Sequence, residues 1–222
     1  METNFNYEGI ACEGIYHVFF KGKQNEILFP TEEHYNHFLK LFFENISPLA
    51  DVYSYCLLPN QFHIVLKIKS EKVVFTYFKI AGRFPEETMT LQELKELSEK
   101  SEFNKINILS IHLQKQFSHF FNIYAKELFL QKHRKDKLLG AFNSKKLTDE
   151  SEIRTTVTQI HMLALQEKLV SELTSWKYNS YNAMLSDKPT RLMRKEVIDI
   201  FESVDHFKRD HQEELKKSFL TN

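Results

Sequence analysis

The stretch YSYCLLPNQFHIVLKIK, residues 53–69, constrains the fold more than any other part of the chain. Pro59-Asn60 separates two runs rich in apolar and β-branched residues, and the link is too short for a crossover. An antiparallel hairpin is expected, with strands at 51–58 and 62–69. Successive side chains of a strand point to opposite faces. Phe62, Ile64, Leu66 and Ile68 therefore share one face, and Gln61, His63, Val65, Lys67 and Lys69 share the other. One face suits a core. The other carries an amide, an imidazole and lysines.

The flanking segments supply the layers. GIYHVFFKG (14–22) reads as a buried strand ending in a turn. In 31–48, Tyr35, Phe38, Leu39 and Phe42 recur at helical spacing after a capping Thr31, with His34 at the capping-box position, and Pro48 ends the helix region. Residues 110–133 give a long amphipathic helix with Leu113, Phe117, Phe120, Tyr124 and Leu128 on its apolar side. Lys115, His119, Asn122 and Lys126 lie opposite. Asp149, followed by Glu152, marks the start of a further helix whose Ile153, Val157, Ile160 and Ala164 face inward. A helix near 195–204 and a charged end complete the chain.

Two windows depart from this pattern. Residues 84–107 hold six acidic and three basic side chains and read as an acidic helical insertion on the periphery. Residues 131–146 hold six Lys/Arg against one Asp, and this basic connection has room for a strand. Strand, helix, strand, strand, helix, strand, helix predicts an α+β fold. It is a ferredoxin-like antiparallel sheet with helices packed on one face, plus the acidic insertion and C-terminal helices. The other face is expected to be free for a ligand. The expected division is 1–175 for this domain, with the insertion at about 84–107, and 176–222 for a C-terminal helical extension.

Composition excludes several classes. At 42% hydrophobic residues the chain can bury a core, so disorder is not expected. No run approaches the roughly 18 apolar residues of a membrane span, and the N-terminus lacks the pattern of a signal peptide. Cys12 and Cys56 lack metal-site spacing, which fits free thiols in a reducing, cytoplasmic setting. A formal net charge of zero does not favour non-specific nucleic-acid binding, although a neutral total can hide a basic face.

Four stretches in order, YHVFFKG, YCLLPNQFHIVLKIKS, QFSHFFNIYAKEL and WKYNSYNAMLSDKPT, resemble the single-tyrosine HUH transposases, in particular the REP-associated tyrosine transposases related to insertion-sequence-200-type enzymes. The resemblance implies a ferredoxin-like sheet that binds single-stranded or hairpin DNA. It also implies a tyrosine nucleophile, two histidines flanking one apolar residue as ligands of a divalent metal, and a third ligand one turn beyond the tyrosine. Such spacings put two ligands on one side of a strand, and a nucleophile and a ligand on one side of a helix. Carried onto this chain, the first histidine is Gln61 and the second is His63. The tyrosine falls on Gln159 and the third ligand on Leu163.

Gln cannot replace a phenol nucleophile, and Leu cannot hold an ion. The resemblance therefore implies a degenerate site at Gln61, His63, Gln159 and Leu163, with at most a weak metal site at His63 and Gln61. No cofactor is then required; Mg or Mn enters only with residual activity. Lys67, Lys69, Lys115, Lys126, Lys132, Arg134, Lys135, Lys137, Lys145 and Lys146 are the candidate phosphate contacts. The expected partner is single-stranded or hairpin DNA, bound by a monomer or homodimer, with no membrane partner. Two other readings stay open. One is an active transposase using a substitute ligand and another tyrosine, with Tyr178 and Tyr181 as candidates. The other is a protein-interaction module built on the insertion and the C-terminal helices.

Overall fold

Four strands, β1 (Ile15–Lys21), β2 (Ala50–Leu58), β3 (Gln61–Ile68) and β4 (Asn143–Leu147), form one sheet in the order β2-β3-β1-β4. Every neighbouring pair is antiparallel. The structure is a computed structural model and describes residues 9–22, 26–84, 90–100, 107–132 and 142–220. The helices are α1 (Glu32–Asn45), α2 (Glu71–Ile80), α3 (Leu91–Lys100), α4 (Ile108–Lys132), α5 (Glu150–Gln166), α6 (Tyr181–Leu185), α7 (Arg194–Ile200) and α8 (Val204–Leu220). This is the expected α+β, ferredoxin-like arrangement, with β1-α1-β2-β3-α4-β4 as its frame.

Phenylalanine builds the layer behind the sheet. Phe62 of β3 packs on Phe38 of α1 at 5.1 Å between ring centroids and on Phe121 of α4 at 5.0 Å. Phe120 meets both Phe38 and Phe42. All five rings are buried, and edge-to-face and offset pairs of this kind add to the free energy of area burial. The back face is thus the one bearing Phe62, Ile64, Leu66 and Ile68, as the alternation predicts.

Residues 71–80, which the sequence pattern did not single out, form α2. Its Val, Phe and Thr content is poor helix-forming material, but Val74, Phe75 and Phe78 sit on one side and are buried, and tertiary burial overrides weak propensity. The described part of the insertion, α3, is tied to α2 by a Lys95–Glu71 ion pair at 2.6 Å. Phe78 of α2 packs in turn on His112 of α4, behind the sheet.

The front face is not left wholly free. Helix α5 packs against β2 and β3 and covers that half of it. Its start follows the expected cap: the Asp149 carboxylate accepts a hydrogen bond from Glu152 N at 2.8 Å. Thr31 also stands at the N-cap of α1, but its hydroxyl pairs with the His34 imidazole at 2.8 Å and makes no cap bond to the backbone.

The outer edge of β2 is closed by the C-terminal segment. Leu57 N donates to Tyr178 O, Ser180 N to Tyr55 O and Met193 N to Val52 O, at 2.9–3.0 Å. Trp176 Nε1 donates to Leu57 O and the Tyr53 hydroxyl to Glu196. The backbone bonds and the Trp176 bond satisfy main-chain groups that an open strand edge leaves unpaired. Replacing Asp149 with Ala removes the α5 cap. The expected loss is about 1 kcal/mol of stability, measured as a lower urea midpoint with an unchanged slope.

Candidate nucleic-acid interface

Registration of β1 on β3 decides which groups meet on the front face. Phe19 stands opposite His63, His17 opposite Val65, and Lys21 opposite Gln61. On the other side of β1, His17 stands opposite Lys145. His17, Phe19, Lys21, Gln61, His63, Lys67 and Lys145 therefore share one side of the sheet. The Phe19 and His63 rings are nearly parallel, 6° apart in plane and 5.7 Å between centroids. His17 lies 4.7 Å from Phe19 and 5.2 Å from His63. All three rings are half-buried, while Lys21 and Lys145 are exposed.

A hydrogen-bonded chain runs through these rings, and its direction follows from its last member. Gln61 Nε2 donates to Glu167 Oε1 at 3.1 Å, since a carboxylate only accepts. The Gln61 amide oxygen must then face His63 Nε2, at a long 3.4 Å, so that nitrogen carries the proton. His63 Nδ1 is left as the acceptor for His17 Nε2–H at 3.0 Å. The order is His17 to His63 to Gln61 to Glu167. Burial pushes His17 down to about 3, helped by His63 and Lys145; burial and Lys21 push His63 down to about 4. Both rings are neutral at pH 7.

Helix α5 contributes Glu167, its C-cap residue, to this chain. Gln159 is exposed, about 12 Å back along the helix at 1.5 Å per residue. Leu163, one turn before Glu167, packs against the core. The structure thus brings Gln61 and His63 together with His17 and Glu167. His17 was legible only as a strand residue, because its role depends on the register of β1. Glu167 carried no sequence signal beyond lying four residues past Leu163.

An ion at this point would find one imidazole and one amide oxygen. His63 Nδ1 is taken by His17, and the Glu167 carboxylate is engaged by the Gln61 amide nitrogen. Among the described residues no three His, Cys, Asp or Glu side chains are gathered in a metal-binding group. Divalent cations such as Mg favour octahedral sets of oxygen ligands that include carboxylates. The donors present do not fit such an ion.

Other candidates fall in different places. The groups in ring or hydrogen-bond contact with His63 are His17, Phe19 and Gln61. Tyr178 and Tyr181 are buried, each 8% exposed, and burial raises both phenols above their ordinary value. Lys67 and Lys145 lie on the front face, where Lys145 is paired with Glu152 at 2.5 Å. Lys69 is bound to Ser47 O and to Asp51. Lys146 is opposite Tyr16 and faces the α4 side with Ser144. Lys115 and Lys126 are exposed on α4. The Lys132 side chain and Arg134, Lys135 and Lys137 lie outside the described residues.

His161 anchors a second, dry chain. His211 Nδ1–H donates to Phe207 O at 2.7 Å, so His211 Nε2 accepts from His161 Nδ1–H at 2.9 Å. His161 Nε2 accepts in turn from the Ser180 hydroxyl at 2.7 Å, and Ser180 Oγ accepts from Tyr55 N. Ser180 and His161 are 0% exposed and His211 is 1%, so no substrate reaches this Ser–His–His order. It joins α5, α8 and the β2 edge.

No family model matches the chain, and no curated protein matches it. Among solved structures, a REP-associated tyrosine transposase bound to a REP hairpin has a TM-score of 0.51 with this chain at 10% identity, covering 85% of this chain and 89% of that one. At that identity the likeness is one of fold. No described helix is long and apolar enough to cross a membrane.

The buried histidines fix the sign of the acid response. Burial pushes His211 down to about 4 and His161 well below its usual value. The unfolded chain takes up protons near pH 6.5, whereas folded His63 and His211 do so only near 4 and His17 near 3. Stability is therefore full above about pH 6.5 and falls as pH drops through that window, by up to about 1.4 kcal/mol per pH unit for each histidine. Urea unfolding at pH 7.5 and 4.5 checks this, with the lower midpoint expected at 4.5.

Proposed function

We propose that this protein binds single-stranded or hairpin DNA on the open half of the sheet's front face and does not cut it. The observation carrying the reading is the half-buried trio of Phe19, His17 and His63, flanked by Lys21, Lys67 and Lys145. Parallel ring faces give unpaired bases a stacking surface, and lysines beside them meet phosphates. The fold likeness to a transposase bound to a REP hairpin supports a hairpin nucleic acid as the ligand.

The surroundings of most of the described tyrosines support the reading without cleavage. Transfer to a protein nucleophile needs an accessible, activated hydroxyl within reach of the phosphate. The Tyr16 hydroxyl accepts from Ala11 N, and those of Tyr53 and Tyr124 donate to Glu196 and Leu28 O. Burial raises the phenols of Tyr35, Tyr53, Tyr55 and Tyr124, which disfavours the phenolate. The chain from His17 to Glu167, with both imidazoles neutral, orients rings and a half-open surface; it supplies no hydroxyl nucleophile.

Two results are expected with a labelled DNA hairpin. Binding, read by fluorescence anisotropy, weakens steeply with salt, and Phe19→Ala lowers affinity by the 1–3 kcal/mol typical of one lost base stack, about 5- to 150-fold. Denaturing gels after incubation with Mg or Mn show no protein–DNA adduct. No binding at low salt, or an adduct abolished by a Tyr→Phe change, rejects the reading.

A further inference from the structure

Helix α4 has a second organised face. Its buried stripe, Leu113, Phe117, Phe120 and Tyr124, belongs to the core. Ile111, Gln114, Lys115, Ser118, His119 and Asn122 recur at helical spacing on the other side. With Gly9, Phe142 and Ser144 they line a cleft of about 720 Å³. Ser144 belongs to β4 and stands opposite Val18, so the cleft opens on the back of the sheet edge, away from Phe19 and His63.

The chemistry of this cleft is one-sided. From Ile108 to Lys126, α4 carries no Asp or Glu, and neither does β4, in a chain where roughly one residue in seven is acidic. Several lysines elsewhere are paired, such as Lys69 with Asp51, Lys95 with Glu71 and Lys145 with Glu152. Among the described residues Lys115, Ser118, His119 and Asn122 make no side-chain hydrogen bond or ion pair. A lysine, an imidazole, a hydroxyl and an amide line one cleft with no partner among the described residues. Phosphate oxygens are bound by this mixture of charged and neutral donors, and a nearby carboxylate would repel them.

We infer that the cleft is a second phosphate-binding site, which takes the phosphodiester backbone of the nucleic acid proposed for the front face; it rests on that reading. Strand β4 links the two. Lys145 points to the front and Lys146 to the back, so a backbone crossing this edge meets one lysine and then the other before reaching Lys115.

The test uses the full chain and a labelled DNA hairpin at graded salt. Lys115→Glu combined with Asn122→Asp, both exposed, should weaken binding at least tenfold and reduce the salt slope by about one for each phosphate no longer neutralised. Lys216→Glu on the exposed side of α8 matches the sign of the charge change and should have a much smaller effect. Circular dichroism and the urea midpoint confirm that each variant folds. If the cleft variant weakens binding no more than Lys216→Glu, while Phe19→Ala still does, the cleft inference falls and the front-face reading stands. If the wild-type chain binds no hairpin, both fall. Inorganic phosphate, tested alone by calorimetry, separates a small-ligand pocket from a backbone site. Phosphate binding lost on Lys115→Glu with hairpin affinity unchanged overturns the inference.

Discussion

Everything on the front face depends on the register of β1 against β3. With Phe19 opposite His63 and Phe20 opposite Phe62, one set of rings faces α1 and α4 and the other faces outward. A slip of one residue would exchange the two sets. The Phe62 layer, with Phe38, Phe120 and Phe121 buried around it, makes that exchange costly. The core therefore fixes the surface: the free energy of burying phenylalanine behind the sheet positions the imidazoles in front of it.

Two histidine chains then use the same device in different surroundings. Each ends on an acceptor with no proton to give, the Glu167 carboxylate in one and the Phe207 carbonyl in the other, and that end sets every tautomer upstream. The chain at His63 is half-buried and lies beside lysines. The chain at His161 is dry and ties α5 to α8 and to the closed β2 edge through Ser180. One orients a surface; the other holds together the elements that frame it.

Much of this was legible locally. The 53–69 hairpin, the Phe-rich stripes of α1 and α4, and the Asp149 cap each show a period or a spacing that one segment carries by itself. Helix α2 was not legible, because its β-branched residues argue against a helix until Phe78 meets His112. The grouping of His17 with His63 needs a strand register, and Glu167 needs the docking of α5 on the front face. The lysines were read as a single set, but the alternation of β4 places Lys145 and Lys146 on opposite sides of the sheet, a distinction composition does not hold.

The most direct measurement is an NMR titration of the protein, labelled with nitrogen-15 in its histidines, with a DNA hairpin at pH 7. The account predicts that the His17 and His63 ring signals have the pattern of neutral imidazoles and shift on addition of DNA, while those of His161 and His211 stay in place. Shifts confined to His161 and His211, or no shift at any ring under conditions where the hairpin binds, would contradict it.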